Sequence, residues 1–244
     1  MKVLVISDVH LKPWMFKMAR WIRNKYDVEG VVCLMDIPDD FGEQGNISLY
    51  EETFNEAIQF TKDFPETLWC YGNHDVSYLW SKRESGYSYK ASYLCKQKLK
   101  ELRSIIPDGN LAFIQRIDNT VFCHGGLSDE YVREFLPDLY DSDIDEIIAR
   151  INAFGLTEMW NDLSPLWYRP QYYHGRMFRI ADYVQVVGHT PVESISRHAN
   201  IVSTDVFSTN TDCSPYGNQT FCIIDTISTE LQIIDTPIDI GSFS

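Results

Sequence analysis

The sequence predicts an α/β fold in which strands dominate the C-terminal part of the chain. In the first 75 residues, short apolar runs alternate with segments whose apolar residues recur at helical spacing. This alternation is typical of βαβ units, in which neighbouring strands are parallel. Two or three further apolar runs follow residue 200, and we expect them to complete an antiparallel C-terminal half.

The first predicted unit is a strand, a helix and a second strand. Residues 3–6 form a continuous apolar run, which predicts a buried strand. Apolar residues recur at helical spacing over residues 14–24, after a proline that suits the first turn of a helix. Residues 31–35 predict the second strand, and both strands end in acidic residues. In α/β domains, binding sites lie beyond the carboxyl ends of such strands.

The next elements are a helix over residues 46–64 and a third short strand over residues 67–71. Pro65 ends the helix, because proline cannot continue the hydrogen-bonding pattern. Residues 76–106 interrupt the sequence of strands with tyrosines and a basic segment. We expect an inserted helix and loop here, with a lid that touches substrate as the alternative.

The remaining segments predict a hairpin, two helices and several strands within a single domain over residues 1–244. Leu111–Gln115 and Val121–Cys123 form the hairpin around Asp118-Asn119. Ser128 caps one helix, and Ser142 or Asp143 begins another. The later strands are expected at residues 183–187, 201–203, 221–224 and 231–234.

Composition limits the classes of partner and compartment. The chain of 244 residues has 35 acidic and 21 basic residues, a formal net charge of -14, which argues against general nucleic-acid or anionic-membrane binding. The six cysteines show no CxxC pairing, and several lie in apolar runs, which favours a reducing cytoplasm. With no leader-like segment and no run of about 18 apolar residues, we expect a soluble cytoplasmic protein of undetermined oligomeric state.

Polar residues that can bind metals follow five of the predicted strands. They are Asp8, His10, Asp36, Asn73, His124 and His189. These ligands are too many for one closed four-coordinate site, and they suit two adjacent divalent metals bridged by one carboxylate. Such a pair can clamp a phosphate and lower the pKa of a bound water toward ~7, which creates a hydroxide nucleophile.

Five short motifs occur in a fixed order along the chain. They are Asp8-Val9-His10, Asp36-x-x-Asp39, Gly72-Asn73-His74-Asp75, His124-Gly125-Gly126 and Gly188-His189-Thr190. This set resembles the metallophosphoesterase, or calcineurin-like, superfamily. The His-Gly-Gly form resembles its phosphoprotein phosphatase branch, which includes serine/threonine phosphatases, their bacterial and phage relatives, and diadenosine tetraphosphatases. The resemblance spans positions 8 to 191 and implies a four-layer α/β/β/α fold, with two mixed β-sheets packed as a sandwich between helices.

The same resemblance implies how the metals are bound. One metal would be held by Asp8, His10 and Asp36. The other would be held by Asp36, Asn73, His124 and His189, with Asp36 bridging the two. Manganese is the favoured metal, and iron, zinc or nickel are alternatives.

The resemblance also implies three roles in catalysis. His74 would be the general acid that protonates the leaving alkoxide, and Asp39 would hold its imidazole charged and in the correct tautomer. Arg169, in the segment Leu166-Trp167-Tyr168-Arg169, would bind the phosphate oxygens through its planar guanidinium.

The second motif departs from the family pattern at one position. The family usually has an arginine directly after the second aspartate, and this chain has Asp40. An acid there would repel a dianionic phosphate unless it turns away. Lys82 or Arg83 is a candidate for the missing positive charge.

Four other polar residues are expected to be structural. Asp75 would cap the helix that follows it, and Asp205 lies after a strand without the motif that would mark it as functional. His174 and His198 have no motif around them, so we expect them in exposed loops or strands.

The function we predict is a dinuclear metal-dependent phosphatase. Its substrate would be phosphoserine or phosphothreonine in proteins, or small phosphomonoesters, attacked by metal-bound hydroxide. The alternatives on the same site are a dinucleoside polyphosphate hydrolase and a phosphodiesterase. A non-catalytic metal-binding scaffold is the third hypothesis.

Overall fold

A computed structural model describes residues 1–172 and 176–236. The helices in this part of the chain are α1 (Trp14–Lys25), α2 (Ile47–Asp63), α3 (Asn73–Leu79), α4 (Ser92–Ile105), α5 (Asp129–Phe135), α6 (Ile144–Asn152) and α7 (Leu156–Met159). The strands are β1 (Lys2–Ile6), β2 (Gly30–Cys33), β3 (Leu68–Cys70), β4 (Leu111–Ala112), β5 (Ile114–Ile117), β6 (Thr120–Cys123), β7 (Val184–Val187), β8 (Ser196–His198), β9 (Ile201–Ser203), β10 (Phe221–Asp225) and β11 (Leu231–Ile234). His174 lies outside the described residues.

The strands form two mixed sheets. The first has the order β11-β10-β1-β2-β3-β4, in which β1 to β4 are parallel and β10 and β11 are antiparallel to their neighbours. The second has the order β5-β6-β7-β9-β8, in which β6, β7 and β9 are parallel and the two edge strands are antiparallel. The prediction of two mixed sheets is therefore confirmed.

The two sheets pack face to face, with helices on both outer faces. Because side chains alternate across a strand, Val3 and Val5 of β1 point toward the second sheet and share a core with Phe122 and Val186. Leu4 and its neighbours on the opposite face pack against α1, α2 and α4. A further core lies under α5 and α6, on the outer face of the second sheet. This arrangement confirms the predicted four-layer α/β/β/α sandwich.

The predicted antiparallel C-terminal half is wrong in two respects. Strands β6, β7 and β9 run parallel, because long connections return the chain to the same edge before each new strand begins. Strands β10 and β11 belong to the first sheet, where β10 pairs with β1. The first and the last strands of the described residues therefore belong to one sheet.

The hairpin around Asp118-Asn119 is confirmed, but the first predicted strand is divided between the sheets. Leu111–Ala112 pairs with β3, whereas Ile114–Ile117 pairs with β6. The division falls at Phe113, where the side-chain oxygen of Asn152 accepts hydrogen bonds from the backbone N–H groups of Phe113 and Ile114. A continuous apolar run therefore crosses from one sheet to the other.

Residues 76–106 contain most of α3, a loop and α4. Helix α4 buries Cys95, Leu99 and Leu102 against the core that α1 and α2 also cover. None of the described helices has the length and apolar character that crossing a membrane requires.

Candidate active site

The six side chains predicted as metal ligands lie together at the carboxyl ends of parallel strands. The loop after β1 carries Asp8 and His10, and the loop after β2 carries Asp36. Asn73 is the first residue of α3, directly after β3, and His124 and His189 follow β6 and β7. Parallel strands of both sheets end at this edge, which is why residues from distant parts of the chain meet there.

Asp36 belongs to two groups of side chains that could each hold a cation. One group is Asp8, His10 and Asp36, and the other is Asp36, His124 and His189; within each group the ligand atoms lie within 4.8 Å of one another. His124 Nε2 lies 3.1 Å from Asp36 Oδ2 and 2.9 Å from Asn73 Oδ1. The side chain of Asp36 is thus common to both groups.

Backbone carbonyls orient two of the imidazoles toward this cluster. His124 Nδ1 lies 3.1 Å from the carbonyl oxygen of Leu34, and His10 Nδ1 lies 2.9 Å from that of Asp39. Each carbonyl accepts a hydrogen bond from the Nδ1–H group, so Nε2 is the ring atom of each histidine that could bind a metal. The Nε2 atoms of both rings therefore face Asp36.

The donor set fits divalent cations. His189 Nε2 is buried and has no hydrogen-bond partner among the described residues, a costly arrangement unless the atom binds something else. Asp8, Asp36 and His124 are also almost completely buried, and buried charges of this kind are usually paired or bound to metals. Carboxylate, amide and imidazole ligands together suit divalent ions such as manganese, iron and zinc.

The electrostatic potential of the cluster favours a cation. Burial alone would lower the pKa of His124, but the carboxylates of Asp36 and Asp8 outweigh it and raise the pKa to about 9. Burial would raise the pKa of Asp36, yet the nearby imidazoles of His124 and His74 hold it well below its usual range. A divalent cation would compete with protons for these same atoms.

Glycines allow the backbone to approach the carboxylates closely. A Cβ atom at Gly72 would lie 2.0 Å from Asp36 Oδ1, and one at Gly188 would lie 2.0 Å from Asp8 Oδ2. No side chain fits at either position without moving the carboxylate. Both motifs therefore need glycine at these positions, because any Cβ atom would collide with a carboxylate of the cluster.

Replacing Gly72 by Ala is expected to displace Asp36 and lower phosphoester turnover on the order of 100-fold, since small misplacements in an active site have effects of this size. The overpacking should also destabilise the fold by about 1–3 kcal/mol. Gly45→Ala is the matched control, because nothing lies within 4 Å of its added Cβ. Turnover and thermal melting of both variants provide the test, and near-normal turnover of Gly72→Ala would contradict the steric argument.

Asp75 does more than cap α3. Its carboxylate accepts the Gly72 N–H, as a helix cap would, and it also accepts the N–H groups of Asp36 and Ile37. Burial and the charge of Asp36 raise the pKa of Asp75 to about 7. Asp75 therefore ties the loop after β2 to the loop after β3, and so positions Asp36.

His74 forms a dyad with Asp39 that two tyrosines support. His74 Nδ1 lies 3.0 Å from Asp39 Oδ2, and the hydroxyls of Tyr50 and Tyr78 donate to Asp39 Oδ1 at 2.7 and 2.6 Å. Burial alone would lower the pKa of His74, but Asp36 and Asp39 outweigh it and raise the pKa to about 9. These contacts favour the charged form of the imidazole, and Nε2 makes no hydrogen bond to any of the described residues.

Asp40 does not turn away from the cavity, and Lys12 compensates its charge. Lys12 Nζ lies 2.7 Å from Asp40 Oδ2, which also accepts a hydrogen bond from the Thr209 hydroxyl. Neither Lys82 nor Arg83 lines the cavity, and the Arg83 guanidinium lies 4.8 Å from the centroid of the Tyr89 ring. Sequence reasoning missed Lys12, because nothing in its local pattern distinguishes it from an ordinary surface lysine.

The cluster opens into a cavity of about 190 Å³. Its lining includes His10, Asp36, Asp39, Asp40, Phe41, Gln44, Asn73, His74, Glu84, Ser85, Gly86, Trp167, Arg169, His189 and Thr209. Arg169 Nη1 donates to the carbonyl oxygen of His189 at 2.7 Å, which holds the guanidinium beside the cluster. Among the described residues, Arg169 is the single lysine or arginine in this lining.

Besides Asp75, two of the residues expected to be structural lie within the described part of the chain. Asp205 is buried, and it accepts hydrogen bonds from the backbone and hydroxyl of Ser208. Burial and the charge of Asp8 raise the pKa of Asp205 to about 8. His198 is exposed on the edge strand β8, away from the cavity.

Solved structures with the same fold include two phosphatases. A cold-active protein-tyrosine phosphatase from a psychrophilic Shewanella species superposes with a TM-score of 0.56 at 16% identity, covering 96% of this chain and 80% of that one. A protein serine/threonine phosphatase from Saccharomyces cerevisiae gives 0.54 at 11% identity, covering 97% and 80%. A hypothetical protein from Pyrococcus horikoshii OT3 gives 0.51 at 12% identity, covering 99% and 90%. At these identities the likeness concerns the fold.

Sequence comparison gives the family. No protein with a curated function matches the chain. The family model for calcineurin-like phosphoesterases matches residues 1–212, which include all five motifs and the whole side-chain cluster. Members of this family hydrolyse phosphoesters and typically bind divalent metals, which agrees with the two donor groups around Asp36. The chain belongs to the calcineurin-like phosphoesterase family.

Proposed function

We propose that this enzyme is a phosphatase that uses two divalent cations, with manganese favoured, to hydrolyse phosphomonoesters. The observation that carries the proposal is the position of Asp36 between two donor groups. One carboxylate can bridge two cations only when both groups converge on it. Proteins bearing phosphoserine or phosphothreonine and small phosphomonoesters are the proposed substrates.

The first cation would be held by Asp8, His10 and Asp36. The second would be held by Asp36 together with Asn73, His124 and His189. When bound, such a pair neutralises charge on the phosphate and lowers the pKa of bound water toward ~7. Asp39 lies outside both groups, since its carboxylate is occupied by His74, Tyr50 and Tyr78.

Two side chains would then act on the substrate directly. Arg169 lies beside His189 and can bind non-bridging phosphate oxygens through its guanidinium. His74 can give the proton on Nε2 to the leaving oxygen, because Nδ1 is directed at Asp39. The carboxylate of Asp39 keeps the proton from being lost before the bond to the leaving group breaks.

The free cysteines at six positions, five of them buried, support a reducing compartment such as the cytoplasm.

We also propose that residues 1–244 act as one domain. Residues 84–86 line the cavity, so the segment 76–106 would contribute to substrate binding as well as to the helical layer.

A manganese-dependent assay on three substrates tests the proposal. The substrates are a phosphoserine peptide, a diadenosine polyphosphate and a bis-aryl phosphodiester, each compared by kcat/KM. We expect the phosphopeptide to be hydrolysed best. Preference for the diester, abolished in Asp36→Asn, would assign the site to a phosphodiesterase, and no turnover at all with fewer than one bound metal would indicate a scaffold.

Removing either tyrosine hydroxyl that donates to Asp39 should weaken proton donation by His74. In Tyr50→Phe or Tyr78→Phe, Asp39 loses one of the two donors to Oδ1 and can rotate away from His74. We expect kcat for an alkyl phosphate to fall about tenfold, less than the roughly 10²–10⁴-fold cost of losing the general acid altogether, because His74 itself is still present. Turnover of p-nitrophenyl phosphate should change little, because nitrophenolate leaves without a proton.

Tyr131→Phe is the matched control, since Tyr131 is equally buried but its hydroxyl donates to Glu158 and Met159, in another part of the fold. If kcat falls equally for the alkyl phosphate and for p-nitrophenyl phosphate in the Tyr50 and Tyr78 variants, the site is generally disrupted. That outcome would contradict the proposed role of the tyrosines in proton donation by His74.

A further inference from the structure

The side of the cavity next to His74 is formed by the loop after α3. A Cβ atom at Gly86 would lie 3.9 Å from His74 Cε1 and 3.6 Å from Asp39 Cβ, so this loop passes directly over the dyad. Glu84 and Trp167 line the same cavity, and Trp167 Nε1 donates to Glu84 Oε2 at 3.2 Å. If His74 protonates the leaving oxygen, the leaving group must occupy this side.

On the side of the cavity next to His74, negative charges outnumber positive ones. Asp40 is paired with Lys12, which cancels its charge. Glu84 forms no ion pair with any residue in the described part of the chain, and its carboxylate accepts only the Trp167 and Ser85 N–H groups. The one guanidinium in the lining, that of Arg169, is held at His189 on the cation side. His74 and Asp39 carry opposite charges and form a pair of their own. Glu84 therefore leaves a net negative charge on the wall that a group leaving past His74 meets.

Aromatic residues line the same cavity as this negative wall, and Trp167 contacts Glu84 directly. Trp167 and Phe41 both line the cavity, and Phe41 is 46% exposed although it is large and apolar. Aromatic rings near a carboxylate are the combination that binds ammonium and guanidinium groups, through the ring quadrupole and the opposite charge. Gln44 also lines the cavity, and its backbone carbonyl oxygen accepts a hydrogen bond from the Ser88 hydroxyl in the loop after α3.

We propose that the enzyme selects phosphomonoesters whose leaving group carries a positive charge close to the ester oxygen, with Glu84 as the residue that recognises this charge. The inference rests on the proposed function, because it takes the leaving group to lie beside His74. Alcohols bearing an ammonium group and phosphoserine flanked by arginine share this chemistry. Polyphosphate leaving groups carry several negative charges, and this wall would repel them.

Three small esters of similar size test the proposal: phosphoethanolamine, propyl phosphate and phosphoglycolate, whose leaving groups are cationic, neutral and anionic. The quantity that matters is the ratio of kcat/KM between wild type and Glu84→Gln for each ester, because intrinsic reactivity cancels in that ratio. We expect the Glu84→Gln variant to have a kcat/KM about tenfold below that of wild type on the cationic ester. Its kcat/KM should change little on the neutral ester and rise on the anionic one.

Two further variants separate charge recognition from damage to the loop. Glu84→Lys should reverse the preference, so that kcat/KM becomes higher for the anionic ester than for the cationic one. Glu52→Gln, at an exposed position of α2, should leave kcat/KM for all three esters unchanged. Equal losses on the three esters in Glu84→Gln, or no reversal in Glu84→Lys, would overturn the proposal while leaving the phosphatase itself intact. Absence of turnover of p-nitrophenyl phosphate by the wild type would overturn both.

A binding measurement gives a readout that does not depend on turnover. 2-Aminoethylphosphonate and propylphosphonate differ in the terminal group of the alkyl chain, which is a charged ammonium in the first and a neutral methyl in the second. In the proposed binding mode this group faces Glu84. By calorimetry we expect the first to bind wild type about tenfold more tightly and to lose this advantage in Glu84→Gln. Equal affinities for wild type would contradict the proposal.

A pair of phosphoserine peptides, one with arginine and one with glutamate next to the phosphoserine, identifies the source of the cationic group. A preference for the arginine peptide that is lost in Glu84→Gln supports proteins as substrates. A preference confined to phosphoethanolamine supports a small molecule.

Discussion

Asp36→Asn is expected to remove nearly all phosphoesterase activity, with kcat/KM for p-nitrophenyl phosphate falling on the order of 10³-fold. The amide keeps the shape of the side chain but removes the negative charge that both donor groups share. Each cation would lose part of its charge compensation at once. We therefore expect metal content after manganese loading to fall from about two ions per chain to one or fewer.

Elemental analysis and steady-state kinetics on the same preparations measure these two effects. Asp27→Asn is the matched control, because its carboxylate is exposed and lies beside Lys2, far from the cavity. A circular dichroism spectrum like that of wild type would show that the fold survives the loss of the buried charge. Two bound metals together with a tenth or more of wild-type activity would contradict a bridging role for Asp36.

His74→Asn is also expected to have a large effect on turnover, and one that depends on the leaving group. Loss of a general acid lowers turnover by about 10²–10⁴-fold when the leaving alkoxide needs a proton. Propyl phosphate should show this loss, whereas p-nitrophenyl phosphate should lose far less. The difference arises because Nε2 of His74 is the proposed proton donor, while the cations and Arg169 act on the phosphate itself.

The control is His198→Asn, because His198 is exposed on β8 and does not line the cavity. Plotting kcat against leaving-group pKa for a series of aryl and alkyl esters gives the readout. The slope should become steeper in His74→Asn and stay unchanged in His198→Asn. Parallel plots for wild type and His74→Asn would indicate that His74 serves another purpose.

These experiments separate the parts of the site. Asp36→Asn acts on metal binding and should reduce turnover of every ester. His74→Asn should affect esters according to the basicity of the leaving oxygen, and Glu84→Gln according to charge next to that oxygen. Since the three patterns differ, each assignment can fail while the other two stand.

The sequence predicted the position of the site because its residues follow strands directly. Asp8, Asp36 and His124 each come within a few residues of an apolar run, and parallel strands bring such ends to one edge. The motif order then placed the chain in its family, which the match over residues 1–212 confirms. The metal-binding and catalytic roles of the residues stay predictions.

Contacts between distant residues could not be predicted in the same way. Lys12 compensates Asp40 across 28 positions of sequence, and Tyr78 reaches Asp39 across 39. Glu84 meets Trp167 across 83 positions. No local pattern marks these partners, because a lysine, a tyrosine or a glutamate in isolation is equally compatible with a surface position.

The sequence by itself determined the fold class, most of the strands and helices, and the group of polar residues at the strand ends. These features follow from periodicity and from short motifs, which act over a few neighbouring residues. The tertiary structure alone decided which sheet each C-terminal strand joins, how Phe113 divides a continuous apolar run, and how the charge at Asp40 is neutralised. Those outcomes depend on packing and charge pairing between segments far apart in the chain, whose geometry exists only once the two sheets have closed on each other.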